Sequence, residues 1–332
     1  MENIAIIGAG GWGTALAIAL SRNVRRIRLW VFDPKLCGIL TQMRINPPYL
    51  PGFFIPENVE PTGDLQQAVS DAQVVLTVVP SQYLRTVLEQ MSPFANSEQI
   101  FISATKGLES RTLRRMSEVV TETLQLRFPP KIAVISGPTF AREVARGVPT
   151  AVVVASVEEE LARCLQQQFA NPTFRFYTNT DVVGVELGGA LKNIIAIGAG
   201  ICEGLGLGSN AVAALITRGL AEIMRLACDC GARRETLTGL AGLGDLVLTC
   251  TGALSRNRRV GIELGRGRRL AEILSSMQMV AEGVSTTAAA WQLAQQKGIE
   301  MPITEQMYAV LYGDRLPLDA VQELMERTLK AE

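Results

Sequence analysis

The chain has 332 residues, 48% hydrophobic and 19% charged, with 32 basic side chains balancing 32 acidic ones. That length and composition exclude a disordered chain and predict two folded domains, while charge neutrality excludes a global field for nucleic acid or an anionic membrane. Histidine is absent, which excludes a Ser-His-Asp triad, a Cys-His pair and histidine-ligated metal, and leaves proton transfer to lysine, carboxylate, tyrosine or cysteine.

From the N-terminus, β-branched apolar runs at 3–7, 27–31, 74–79, 99–103, 132–136, 150–155 and 174–177 predict strands. Several are apolar without alternation, as expected for strands covered on both faces. Amphipathic segments at 14–22, 83–91, 113–126 and 158–169 predict helices between them. This is the pattern of a doubly wound, mostly parallel, Rossmann-like α/β sheet. After Asp181 the texture changes to Ala-, Leu- and Gly-rich helical stretches at 183–201, 210–228, 270–276, 286–297, 304–311 and 318–329. The expected domains are therefore residues 1–181, binding a dinucleotide, and an all-helical unit of residues 182–332, binding substrate.

The uncharged run 4–20 is rich in glycine, follows Glu2 rather than a basic segment and is shorter than the ~20 residues a spanning helix needs, so no membrane span is expected. The six cysteines are scattered. Only Cys228 and Cys230 are close, without a second pair or a histidine to complete a zinc site, so reduced, mostly buried thiols and no metal are expected.

Three motifs carry chemistry. Gly8-Ala9-Gly10-Gly11-Trp12-Gly13 follows an apolar strand and opens an apolar helix. Glycines there admit a tight turn and a pyrophosphate against the backbone, and the helix start supplies free N–H groups. Asp33, expected at the end of the second strand, is placed to accept from ribose hydroxyls. Next, Lys106 follows a predicted strand in Ser103-Ala104-Thr105-Lys106-Gly107, and Lys192 interrupts an apolar helix. A lysine there either snorkels to water or has its pKa lowered by burial and a neighbouring cation, and the second suits proton transfer without histidine. Third, Ser255-Arg256-Asn257 offers a fork of donors for a phosphate, with Arg258 and Arg259 read as a solvated helix start. No aromatic residues interleave these cations, so nucleic acid is not the expected ligand.

With these residues in hand, the chain resembles the bacterial type of NAD(P)-dependent glycerol-3-phosphate dehydrogenase from end to end. The specific segments are 8–16, RINPPYLPG at 44–52, 104–109, SGPTFAREVARGVP at 136–149, DVVGVELGGALK at 181–192, 210–222, 238–259 and 300–304. The resemblance implies reversible reduction of dihydroxyacetone phosphate to sn-glycerol 3-phosphate for phospholipid synthesis, by a cytoplasmic homodimer. It implies Lys192 as the proton donor and acceptor, with Lys106 between cofactor and substrate and Asp245 either accepting from a substrate hydroxyl or holding Lys192. Gly137, Thr139, Ser255, Arg256 and Asn257 would complete the substrate site. Trp12, Tyr49, Lys106, Ala141, Arg256, Val280 and Glu282 would join Gly8, Gly10, Gly11, Gly13 and Asp33 around NAD or NADP.

Two positions depart from the family pattern. Gly11 stands where many members have serine, removing one hydroxyl. Phe32 stands where members often place Arg or His to meet a 2′-phosphate, which favours NAD, unless Arg25, Arg26 or Arg28 folds over the strand end. A 6-phosphogluconate or β-hydroxy-acid type dehydrogenase would share the architecture but not the segments at 136–149 and 255–257. A non-catalytic dinucleotide sensor would not need Lys106, Lys192, Asp245 and Arg256.

Overall fold

A computed structural model of the chain describes residues 1–328. Among the described residues ten strands occur: β1 Asn3–Ile7, β2 Arg26–Trp30, β3 Ile45–Asn46, β4 Leu50–Phe54, β5 Val59–Thr62, β6 Val74–Thr77, β7 Ile100–Ser103, β8 Lys131–Ser136, β9 Thr150–Ala155 and β10 Phe174–Asn179. Eight form one sheet in the order β10-β9-β8-β7-β6-β1-β2-β5, parallel throughout except between β8 and β9, and β3 and β4 form a separate antiparallel hairpin.

The strand order reverses direction at β1, which pairs with both β2 and β6. Crossover connections leave both sheet faces covered by helices. Gly11–Leu20 and Glu159–Phe169 pack on one face, and Leu84–Met91 and Met116–Leu124 on the other. That double coverage is why β1 and β6 are apolar without alternation. The reversal puts the C-terminal ends of β1 and β6 at the place where doubly wound sheets bind ligands.

The expected strands all form, with ends shifted by up to two residues. Missing from the sequence reading are the β3–β4 hairpin and β5, the last only four residues with Pro61 inside. It survives because it lies at the sheet edge, where a proline's lost N–H leaves no ladder bond unmade. The first helix begins at Gly11, three residues before the expected start, because the glycines themselves form its first turn.

Among the described residues no strand follows Asn179. Helix Val182–Gly204 runs through a second core, its start capped by Asp181, which accepts from Gly184 N at 2.8 Å. It is long and apolar enough to cross a membrane, but is buried among its neighbours instead. Helix Arg256–Gly265 crosses it at backbone contact. A Cβ on Gly200 would overlap the Arg258 carbonyl, and one on Gly261 the Ile197 carbonyl. The final expected helix, 318–329, forms as Pro317–Met325, and Leu329 lies outside the described residues.

The loop 104–115 links the two cores. Leu108 and Leu113 leave the sheet region and bury themselves in the helical core. Glu109 receives a bidentate pair of bonds from Arg85 at 2.8 and 2.9 Å, and Glu186 of the long helix accepts from Arg115 at 2.7 Å.

Candidate active site

The glycine turn sits at the C-terminal end of β1. Gly8 has φ +120°, and a Cβ there would stand 2.8 Å from Val78 O, so glycine is required by conformation and by space. A Cβ on Gly13 would overlap the Gly8 carbonyl, whereas Gly10 faces open space. Buried Asn46 donates to Ala9 O and Thr14 Oγ1 at 2.9 and 2.8 Å, fastening the β3–β4 hairpin beside the turn. That hairpin brings Tyr49 so close that a Cβ on Gly11 would lie 2.8 Å from its carbonyl oxygen. The missing hydroxyl at Gly11 therefore accompanies a closer backbone approach. Ala141 opens a short helix, Ala141–Arg146, against the same core.

Asp33 lies beyond β2 rather than within it. It caps helix Pro34–Met43, accepting from Lys35 N at 2.8 Å, and is exposed at the sheet's C-terminal edge. Phe32 is 81% exposed and meets Trp30 edge-on. The three arginines of this segment are engaged elsewhere: Arg25 with Glu2, Arg26 with Asp71, and Arg28 with Glu60 and Asp71.

From the turn, a chain of contacts leads to the lysines. Met279 of the helical half lies 3.8 Å from a Cβ built on Gly11, and Val280 beside it is half exposed. Glu282 then accepts from Ser81 N and Oγ at 3.3 and 2.7 Å, crossing between the halves next to Gly107. Burial raises the Glu282 pKa, opposed by the Ser81 bonds and by Arg256.

Beyond Gly107, Lys106 Nζ donates to Gly137 O at 3.0 Å and to Asp245 Oδ2 at 2.6 Å. Lys192 Nζ donates to Asp245 Oδ1 and, at 2.7 Å, to Thr249 Oγ1. Asp245 is fully buried and Lys192 is 5% exposed, so the lysine does not snorkel. Burial pushes the Lys192 pKa down to about 7; Asp245 opposes the shift and the Lys106 charge adds to it. A lysine with that pKa can take up and release a proton near neutrality. Its neighbour Cys250 is pushed up to about 12 by burial and is an inert thiol.

The third motif lies alongside. Ser255 caps helix Arg256–Gly265, its Oγ accepting from Arg258 N at 3.2 Å while its own O–H remains free to donate. The Arg256 guanidinium donates no hydrogen bond among the described residues. Surrounding protein lowers its pKa and Glu282 supports its charge. Arg258 pairs with Glu203 instead of standing in water. Asn257 is buried, donating to Asn193 Oδ1 at 2.8 Å and accepting from Gly283 N at 2.9 Å. It therefore joins three helices, and one amide hydrogen is left for a ligand. Thr139 donates to Gly137 O at 3.2 Å.

Contacts therefore link the glycine turn to Tyr49 and Met279, Ser81 to Glu282, and Lys106 to Gly137, Asp245 and Lys192, with Asn257 bonded to Gly283 next to Glu282. Sequence reasoning missed Asn46, Ser81, Asn193 and Thr249. Their only signal was being polar inside apolar or motif-bearing stretches.

Comparison with known proteins decides the family. Residues 3–162 match the NAD-dependent glycerol-3-phosphate dehydrogenase N-terminus and residues 181–322 its C-terminus. The chain belongs to the NAD-dependent glycerol-3-phosphate dehydrogenase family. Relatives named glycerol-3-phosphate dehydrogenase [NAD(P)+] include one from Koribacter versatilis, 55% identical over 100% of this chain and 99% of its own length. Another, from Syntrophotalea carbinolica, is 52% identical over 99% of each. The crystal structure of glycerol-3-phosphate dehydrogenase from Coxiella burnetii superposes with a TM-score of 0.94 at 44% identity, covering 98% of this chain and 99% of that one. The fold alone extends further, to a ketopantoate reductase from Ralstonia eutropha at 17% identity and a TM-score of 0.62. The family is thus an NAD(P)-dependent oxidoreductase, and this chain keeps its architecture over the full length.

Proposed function

We propose that the protein reversibly reduces dihydroxyacetone phosphate to sn-glycerol 3-phosphate with NAD(P)H, with Lys192 exchanging the proton. The observation that carries this reading is the Lys106–Asp245–Lys192 cluster, which places a buried lysine of near-neutral pKa beside an open cationic helix start. The full-length match to relatives named for this reaction supports the substrate.

The glycine turn fits a dinucleotide. Gly8 and Gly13 form a cradle that a Cβ would fill, the start of helix Gly11–Leu20 has free N–H groups, and Trp12 Nε1 is buried without a partner. Gly8, Gly10, Gly11, Trp12, Gly13, Asp33, Tyr49, Ala141, Val280 and Glu282 would hold it, with Lys106 and Arg256 bordering it. Hydride transfer is the chemistry that a bound nicotinamide supplies.

The remaining work falls to the chain's own side chains. Ser255 O–H, the Arg256 guanidinium and the N-terminal N–H groups of helix Arg256–Gly265 hold the phosphate dianion. Gly137, Thr139 and Asn257 flank the glycerol carbons. Lys106 adds positive charge beside the substrate oxygen, stabilising charge that develops there. Lys192 Nζ delivers its proton to that oxygen during reduction and takes it back during oxidation. Asp245 orients both ammonium groups, which supports its role as the holder of Lys192.

Residues 1–181 bind the dinucleotide and 182–332 the substrate, a division supported by the change from strand to helix between Asn179 and Val182. The family resemblance supports a homodimer acting in the cytoplasm. Oxidation of NADH and of NADPH at fixed dihydroxyacetone phosphate tests the reading. Absence of turnover with both would overturn it.

A further inference from the structure

Ser136 ends β8 with a hydroxyl that is buried and has no hydrogen-bond partner. Burying a hydroxyl without a partner is costly, and apolar residues of similar size were available to the fold. Its surroundings are those of the site. A Cβ built on Gly189 would overlap Ser136 Oγ and stand 3.8 Å from Lys106 Cδ. Ser136 therefore sits under Lys106, at the glycine that precedes Lys192 by one helical turn, and next in sequence to Gly137, whose carbonyl accepts from Lys106. The neighbouring strand repeats the feature. Ser103, which ends β7 three residues before Lys106, is likewise buried and unpartnered, and the parallel register places it on the same face.

Lys106 has two acceptors here, Gly137 O and Asp245 Oδ2, and Asp245 is already shared with Lys192. A substrate oxygen that draws the Lys106 ammonium toward itself breaks at least one of these bonds. A free oxygen below the side chain then offers a replacement.

We propose that Ser136 is a positioning residue of the reaction, its Oγ accepting a hydrogen bond from Lys106 Nζ when that ammonium turns from Asp245 toward the substrate. This inference rests on the reaction proposed above and assigns Ser136 no contact with substrate. The ionisable groups facing Lys106 are Asp245 of helix Asp245–Thr251, Lys192 of helix Val182–Gly204 and, past Gly107, Glu282.

The test compares wild type with S136A and S136C, measuring kcat, KM, thermal midpoint and the pH profile of glycerol 3-phosphate oxidation. Removing an unpartnered hydroxyl should leave the thermal midpoint of S136A equal to or above that of wild type. Its kcat should fall roughly tenfold, the size of a lost hydrogen bond to a charged group, with KM changed less. With Lys106 left nearer Asp245 and Lys192, the pH midpoint of S136A should move to lower pH, while S136C, a weaker acceptor of similar size, falls between. Unchanged kcat and pH profile in S136A would overturn the proposal, as would a loss of kcat matched by a loss of thermal stability. Absence of turnover in wild type would instead overturn the reaction itself.

Discussion

Lys192 and Asp245 form a buried ion pair in which the carboxylate is not the lysine's alone, because its second oxygen holds Lys106. Sharing one negative charge between two ammonium groups leaves the pair with excess positive charge in a desolvated place. That is the arrangement that makes a lysine titrate near neutrality. The chain has no histidine to do so, and burial brings Lys192 into the same range.

Replacing Lys192 by Met should remove the proton exchanger without touching the glycine turn. We expect kcat to fall by about 10³-fold or more in both directions. Quenching of protein fluorescence on NADH addition should give a dissociation constant within a few-fold of wild type. Turnover retained in K192M would reject the assignment.

The lowered Lys192 pKa fixes the sign of the pH response. Below about 7 the side chain carries the proton needed for reduction; above it the neutral amine accepts the proton of oxidation. Glycerol 3-phosphate oxidation should therefore rise as pH passes upward through about 7, and reduction of dihydroxyacetone phosphate should decline. Asp245 supports the protonated form, so D245N should move both midpoints to lower pH, besides slowing the reaction. For folding, the lowered pKa means the unfolded chain binds more protons between about 7 and the ordinary lysine value of 10.5. This group makes stability rise with pH across that window.

Arg256 is expected to act on substrate affinity. In R256K the planar fork becomes a point charge, and the KM for dihydroxyacetone phosphate should rise by roughly tenfold to a hundredfold, with a smaller change for the dinucleotide. Steady-state kinetics with each substrate varied in turn separates the two. An equal rise in both would place Arg256 at the cofactor instead.

Phe32 carries the prediction on cofactor preference. The arginines that might have met a 2′-phosphate are paired with Glu2, Glu60 and Asp71. NADH should therefore be used at least as well as NADPH, and F32R should shift the ratio of kcat/KM toward NADPH. A tenfold or greater NADPH preference in wild type would contradict this.

A control that, among the described residues, shares no hydrogen bond with the candidate site is Glu222, buried and accepting from Ile303 N, Thr304 N and Thr304 Oγ1 at 2.6, 3.1 and 3.3 Å at the start of helix Pro302–Tyr312. E222A strands those donors and should cost about 2 kcal/mol of stability in urea unfolding, with little change in kcat.

The alternation of strands and helices, the switch to helices after Asp181 and the glycine turn were legible in the sequence. Each is written in residues adjacent along the chain, where periodicity and backbone sterics act directly. So was the exclusion of histidine from any proton transfer, because a missing residue type is a property of composition. The short strand β5 was not legible, since its pairing with β2 is a long-range bond and not a local propensity. Nor were the bonds of Asp245 to both Lys106 and Lys192, or the place of Asn257 as a tie between Asn193 and Gly283. Those depend on which side chains meet when helix Val182–Gly204 packs against its neighbours and the sheet edge. Only that packing removes water from Lys192, and desolvation is what lowers its pKa from the ordinary lysine value.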